Sequence, residues 1–298
     1  MEFGLLFANT MGFATAEGST ELAQAAEAAG FDSLWTVEHV LWPADYESEY
    51  PYDPSGRMAG SHSSVIPDPL VWLTWVAAHT KTIKLATGIL ILPQRNPAVL
   101  AKEVATLDQL SGGRAMLGIG VGWLEEEFSA LGVPFARRGK RTDEYVAAMR
   151  ALWSGEHVDF NGEFVNWSRV NSNPKPVNGS VPIVVGGHSR KAAERAGYLG
   201  DGFVPGNGDI PELIDVMKQT AADAGRNPDD IEVTAPHPGI FGADPAAAVE
   251  EAASFGVDRL IVPSYFLAKG DVAETCRSWA EKFGTNTSPA TSSDRVGS

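Results

Sequence analysis

The chain has 298 residues, 44% of them hydrophobic, with 23 Lys+Arg against 38 Asp+Glu, a formal charge of 23 − 38 = −15. The apolar share supports a sizeable core and excludes a largely disordered chain. The acidic excess excludes nucleic acid and anionic membrane as partners, because both need a basic surface. One cysteine, Cys276, rules out an intrachain disulfide and a cysteine-built metal site. No basic leader precedes an apolar stretch, and no apolar run nears the ~20 residues of a membrane crossing. The expectation is a cytoplasmic protein with one domain over residues 1–284 and a disordered Ser/Thr-rich tail over 285–298.

In chain order, the apolar run Glu2–Asn9 precedes a segment with Leu22, Ala25, Ala26 and Ala29 on one face, closed by Gly30, which predicts a helix over 19–29. The run Asp32–Val37 follows, then the long stretch Leu41–Pro67 with Tyr46, Tyr50 and Tyr52, then a helix over 68–80. Ile83–Ile91 is the third run. Leu100, Val104 and Leu107 predict a helix over 97–110, ending at Ser111-Gly112-Gly113. Ala115–Gly120 leads to a helix over 140–153, and a second long stretch, Gly155–Ser180, separates that helix from the run Pro182–Gly186. Helices over 189–199, 210–224, 245–255 and 271–283 then alternate with Gly202–Pro205, Ile231–Ala235 and Arg259–Pro263. Asp209 and Asp244, each shortly before a proline, read as N-caps. The runs are apolar nearly throughout, as strands covered on both faces should be. Eight such strand-then-helix units predict an α/β fold, a single parallel (β/α)8 barrel; a doubly wound open sheet is the alternative.

In a barrel, chemistry is read just past each strand. Glu38 and His39 follow the second run; neighbours along a strand face opposite sides, so one lines the mouth while the other braces a neighbour. A histidine there suits proton transfer near neutral pH; a hydrogen-bonded structural histidine is the alternative. Gly88 inside the third run marks a bulge or a close backbone approach. Gly118-Ile119-Gly120-Val121-Gly122-Trp123 leaves one face of the fourth strand end bare, open to a flat ligand edged by Trp123. Its glycine spacing and its place after the fourth strand do not fit a dinucleotide fingerprint. Gly186-Gly187-His188-Ser189 opens directly into a helix, whose free N–H groups suit a phosphate; a plain capped turn is the alternative. His39, His188 and His237 all fall at strand ends, but no HxH pair or terminal aspartate accompanies them, so no metal site is expected.

Together Leu34-Trp35-Thr36-Val37-Glu38-His39, the block Thr87 to Pro97, the stretch Leu107 to Trp123 and Val184-Val185-Gly186-Gly187-His188-Ser189 resemble the luciferase-like monooxygenase superfamily, in particular its actinobacterial coenzyme F-420-dependent oxidoreductases. The resemblance implies a deazaflavin or flavin at the barrel mouth. It sets Glu38 and His39 beside the ring, with Trp42 and Trp123 walling the substrate side. It puts a cis peptide at Gly88–Ile89, next to Thr87, under one ring face. Gly120, Gly122, Gly186, Gly187, His188 and Ser189 then hold the side chain and phosphate. Relatives acting on sugar phosphates carry a carboxylate where this chain has Trp123, so a sugar phosphate is a poor expectation here. The implied activity is hydride transfer between F-420 and a small organic substrate. An FMN-dependent monooxygenase fed by a separate cofactor-reducing enzyme is the alternative, and a non-catalytic flavin-binding protein is the third. Arg137, Arg138, Lys140 and Arg141 are the dense basic cluster, matched to the oligoglutamate tail of F-420; a solvated face at a helix N-terminus is the alternative. A homodimer through Val71, Trp72, Trp75 and Val76 is the remaining expectation.

Overall fold

The computed structural model describes residues 1–285. Strands β1 (Glu2–Leu6), β2 (Ser33–Thr36) and β3 (Lys84–Thr87) are followed by the short β4 (Leu90–Ile91) and β5 (Ala115–Gly120). A hairpin of β6 (Val158–Asn161) and β7 (Asn166–Val170) precedes β8 (Ile183–Gly187), β9 (Gly202–Pro205), β10 (Glu232–Ala235) and β11 (Arg259–Pro263). The parallel ladder runs β3-β2-β1-β11-β10-β9-β8-β5, and β3 pairs with β5 through Leu85↔Ala115 and Ala86↔Met116, closing a barrel of eight strands. β4 continues the line of β3 after a break at Gly88 and Ile89, and pairs with the far end of β5. The open-sheet alternative is thereby excluded.

The helices are α1 (Ala16–Ala28), α2 (Pro69–His79), α3 (Pro97–Ser111), α4 (Glu125–Ala130), α5 (Arg138–Ser154), α6 (Arg190–Leu199), α7 (Ile210–Asp223), α8 (Pro245–Ser254) and α9 (Val272–Phe283). Their ends follow from local chemistry. Asn96 accepts from the Ala98 and Val99 N–H groups to start α3, Pro97 occupies its first turn, and Gly112 ends it with φ 72°. Asp209 and Asp244 cap α7 and α8 as their sequences predict.

Alternation along the strands builds two cores. Leu34, Leu85, Leu117, Ile183, Phe203 and Val233 face outward under the helices. Trp35, Ala86, Met116, Val184, Val204 and Ile261 fill the barrel interior. Trp35 can lie over the neighbouring strand because β1 offers no side chain at Gly4, where a Cβ would lie 2.7 Å from the Trp35 Nε1. Below it Arg259, fully buried, donates to Asp32, Glu232 and the Thr234 hydroxyl, so the barrel's closed end is an ionic plug and its open end is left for chemistry.

Two features differ from the sequence reading. The stretch 155–180 holds the β6–β7 hairpin, pinned by the Phe160–Trp167 ring pair at 5.5 Å, and α4 follows β5 directly. Both are short, so neither shows a full period of hydrophobicity. Of the apolar residues assigned to a dimer face, Trp72 and Val76 belong to the chain's own core, and the Trp72 indole donates to Phe13 O; Val71 and Trp75 alone are exposed. The tail from residue 286 lies outside the described residues. Among the described residues no helix is long and apolar enough to cross a membrane.

Candidate active site at the barrel mouth

The floor of the mouth is made where β3 breaks. The Gly88–Ile89 peptide is cis. Gly88 lies against Trp35, where a Cβ would come within 3.0 Å of the Trp35 Cβ, and the Thr87 hydroxyl donates to Gly118 O at 2.7 Å. Ile89 turns its side chain over the barrel core. A Cβ on Gly120 would meet Ile89 Cγ2 at 2.8 Å, and one on Gly186 would meet Ile89 Cδ1 at 2.6 Å. The bare strand face expected to receive a flat ligand is thus occupied by Ile89. Gly122, with φ 81°, is likewise required by its neighbours: a Cβ there would strike Phe128 at 2.6 Å and Ile91 at 2.8 Å.

Glu38 and His39 divide as their opposite orientation predicts. Glu38 is buried; one oxygen accepts from Ile91 N at 2.7 Å, and the other takes Arg95 Nε at 3.1 Å and Nη2 of the same guanidinium. Burial pushes the Glu38 carboxyl up, and Arg95 opposes that. Arg95 also reaches Asp68 at 2.9 Å, so Glu38 braces the break in β3 against the start of α2. His39 keeps 13% exposure at the mouth, and its Nδ1 lies 3.1 Å from Oε2 of Glu127, a buried residue of α4. The other Glu127 oxygen accepts from Val40 N at 2.7 Å and Leu41 N at 3.1 Å. Burial alone would raise the Glu127 carboxyl, but the bonds from His39 and the backbone outweigh it and hold it below the ordinary range. Asn9, fully buried at the end of β1, accepts from Val37 N and donates to Val37 O and Pro67 O, fixing both ends of the Glu38–Pro67 excursion.

That excursion carries an aromatic chain across the mouth. The His39 ring lies 5.7 Å from Trp42 and 6.1 Å from Trp123; Tyr46 and Tyr50 meet Trp123 at 5.8 and 5.2 Å; Tyr52 meets His188 at 4.9 Å. Glu126, beside Glu127, ties the excursion down by accepting from Glu47 N, Ser48 N and the Ser48 hydroxyl.

At the far side, Ser189 caps α6, accepting from Ala192 N at 3.2 Å. Gly187 has φ 150°, and a Cβ there would hit Ala192, so this glycine serves the tight entry into α6. The Nδ1 of His188 is buried and has no partner among the described residues. The basic cluster is mostly committed elsewhere. Arg141 is buried and donates to Pro134 O, Arg137 pairs with Glu163, and Arg138 donates to Gly122 O at 2.9 Å; Lys140 is exposed. Among the described residues no three His, Cys, Asp or Glu side chains group as a metal site.

The sequence reading missed Asn9, Arg95, Glu126 and Glu127. Three consecutive acids at 125–127, two residues after Trp123, were the available signal for the last two. An open depression of about 890 Å3 lies elsewhere, on the outer face between α6 and α7, lined by mixed charges such as Arg190, Glu194, Arg195 and Glu212. The chemistry-bearing residues gather at the mouth, which is the candidate site.

The family model described as luciferase-like monooxygenase matches residues 1–291. An uncharacterized protein of Mycobacterium tuberculosis is 36% identical over 225 residues, 72% of this chain and 77% of its own length. An F-420-dependent glucose-6-phosphate dehydrogenase of Kineococcus radiotolerans is 34% identical over 239 residues, 77% of this chain and 66% of its own. The crystal structure of the monooxygenase RslO1 of Streptomyces bottropensis superposes with a TM-score of 0.71 at 25% identity, covering 95% of this chain and 98% of that one. The chain belongs to the luciferase-like monooxygenase family, within the superfamily that holds the F-420-dependent oxidoreductases.

Proposed function

We propose that this protein is a coenzyme F-420-dependent oxidoreductase acting on a small organic substrate. The observation that carries the reading is His39, held by a buried carboxylate beside the Ile89 floor, with the unpartnered His188 Nδ1 and the α6 N-terminus across the same mouth. The residues present fit the group. The first N–H groups of α6 and the His188 ring suit a phosphate, and Gly88 with Ile89 offers a flat support for a ring. When bound, F-420 supplies hydride donation or acceptance at its C5. His39 then gives or takes the proton at the substrate oxygen or carbon, while Glu38 braces the floor rather than touching the ring. Trp42, Trp123 and the tyrosines of the excursion exclude water over the substrate. Arg57 is engaged by Tyr46 O, Arg95 by Glu38 and Asp68, and Arg138 by Gly122 O, which supports a substrate without an anionic group.

The similarity to the RslO1 monooxygenase favours a second reading, an FMN-dependent monooxygenase supplied by a separate reductase. Titrating the purified protein with F-420 and with FMN, followed by ring fluorescence, separates the two. Saturable F-420 binding at micromolar levels with much weaker FMN binding is the expected result; the reverse order overturns the proposal.

A further inference from the structure

Resting on the reading of His39 as the proton-handling group, we infer that Glu127 is its positioning residue and fixes His39 as the tautomer with the proton on Nδ1 and the lone pair on Nε2. The argument is a count of donors and acceptors. An ionised carboxylate only accepts. Oε1 of Glu127 is filled by the N–H groups of Val40 and Leu41 at 2.7 and 3.1 Å, which leaves Oε2 for the His39 Nδ1 at 3.1 Å. Nδ1 must then be the donor, and in a neutral imidazole Nε2 is the free base. No other described side chain or backbone group bonds either nitrogen of His39.

The same carboxylate holds the first two amides of the excursion over the mouth. The imidazole is therefore oriented by the element that roots the aromatic wall, and residues 40–41 cannot shift without disturbing it. At 1% exposure an unpaired carboxylate would be costly, and the two backbone N–H groups, His39 and the neighbouring Gln94 amide together offset that cost.

Glu127→Gln tests the inference without needing the substrate. The amide oxygen can keep the Val40 and Leu41 N–H bonds, which leaves the NH2 group facing Nδ1. Nδ1 must then accept, and the proton moves to Nε2. In long-range 1H–15N spectra of the labelled full chain, the parent is expected to show a protonated Nδ1 and a bare Nε2 for His39. In Glu127→Gln the two ring 15N shifts exchange places while the Val40 and Leu41 amide signals stay. A parent with the proton on Nε2, or a folded variant with an unchanged tautomer, overturns the inference; if the variant fails to fold, the parent spectrum alone decides. The F-420 titration is independent of this readout. Its failure strikes the cofactor reading and leaves the tautomer measurement standing.

Discussion

The resemblance sets Glu38 beside the cofactor ring, whereas the structure gives its carboxylate to Arg95 and Ile91 N; replacing Glu38 by glutamine separates these roles. The side chain is 2% exposed and makes a two-point contact with Arg95 besides the backbone bond at 2.7 Å. Removing one member of a buried pair costs about 3–5 kcal/mol. Arg95 keeps Asp68 at 2.9 Å and is 18% exposed, so the lower end, about 3 kcal/mol, applies here. At about 2 °C per kcal/mol for a domain of this size, the apparent Tm of Glu38→Gln should fall by about 6 °C. His39→Asn removes one bond at a group with 13% exposure, and its expected cost is about 1 kcal/mol. Thermal unfolding by circular dichroism, paired with F-420 titration of each variant, reads both quantities. The expected pattern for Glu38→Gln is a clear loss of stability with F-420 affinity within about tenfold of the parent, about 1.4 kcal/mol. A parental Tm combined with a much larger loss of affinity would mean that Glu38 touches the cofactor, and would refute the bracing argument.

Asn9→Ala strands the backbone groups of Val37 and the Pro67 carbonyl in a partly buried setting, so a loss of about 1–3 kcal/mol is expected in urea unfolding; an unchanged midpoint would show that these groups find other partners. Gly186→Val places a Cβ 2.6 Å from Ile89 and must displace the floor, at about 1–3 kcal/mol, so F-420 affinity should drop by about tenfold or more; parental affinity would contradict Ile89 as the supporting surface. Glu126 is pulled from the ordinary 4.5 to about 2: burial opposes this, but the bonds from Ser48 and Glu47 N outweigh it. A depressed folded value means that the tie to residues 47–48 is complete above about 4.5 and is lost as the pH falls toward about 2. Amide exchange at Glu47 and Ser48 should therefore lose protection in that window, and at neutral pH in Glu126→Ala; protection unchanged in the variant would disprove the tether.

The eight barrel strands were legible because each is a short apolar run with a helix pattern after it, and burial on both faces demands that composition. The break after β3 was legible too, through Gly88, since a glycine inside a strand pattern signals a bulge or a close backbone approach. What was not legible is which partner each site glycine serves. Gly120, Gly122 and Gly186 read from the sequence as space for a ligand, but each yields space to a side chain of the protein itself, Ile89, Ile91 or Phe128. Spacing reports that a Cβ is absent; it does not report what fills the gap. The basic cluster shows a related limit. Charge density along the chain is visible, while the commitment of Arg137 to Glu163 and of Arg141 to Pro134 O is a property of the fold.

Glu127 illustrates the same limit from the opposite side. Three successive acids at the first turn of a short helix are ordinary, because negative charge there complements the helix dipole. Successive residues on a helix point about 100° apart. Two of these acids therefore diverge, Glu127 toward His39 and the root of the excursion, Glu126 toward its middle at Ser48. One short helix after β5 thus holds two points of the aromatic wall and the imidazole beneath it. Any motion that opens the mouth between residues 40 and 48 must break a bond to one of these two carboxylates, so access to the site and the orientation of its proton-handling group are coupled through a single element.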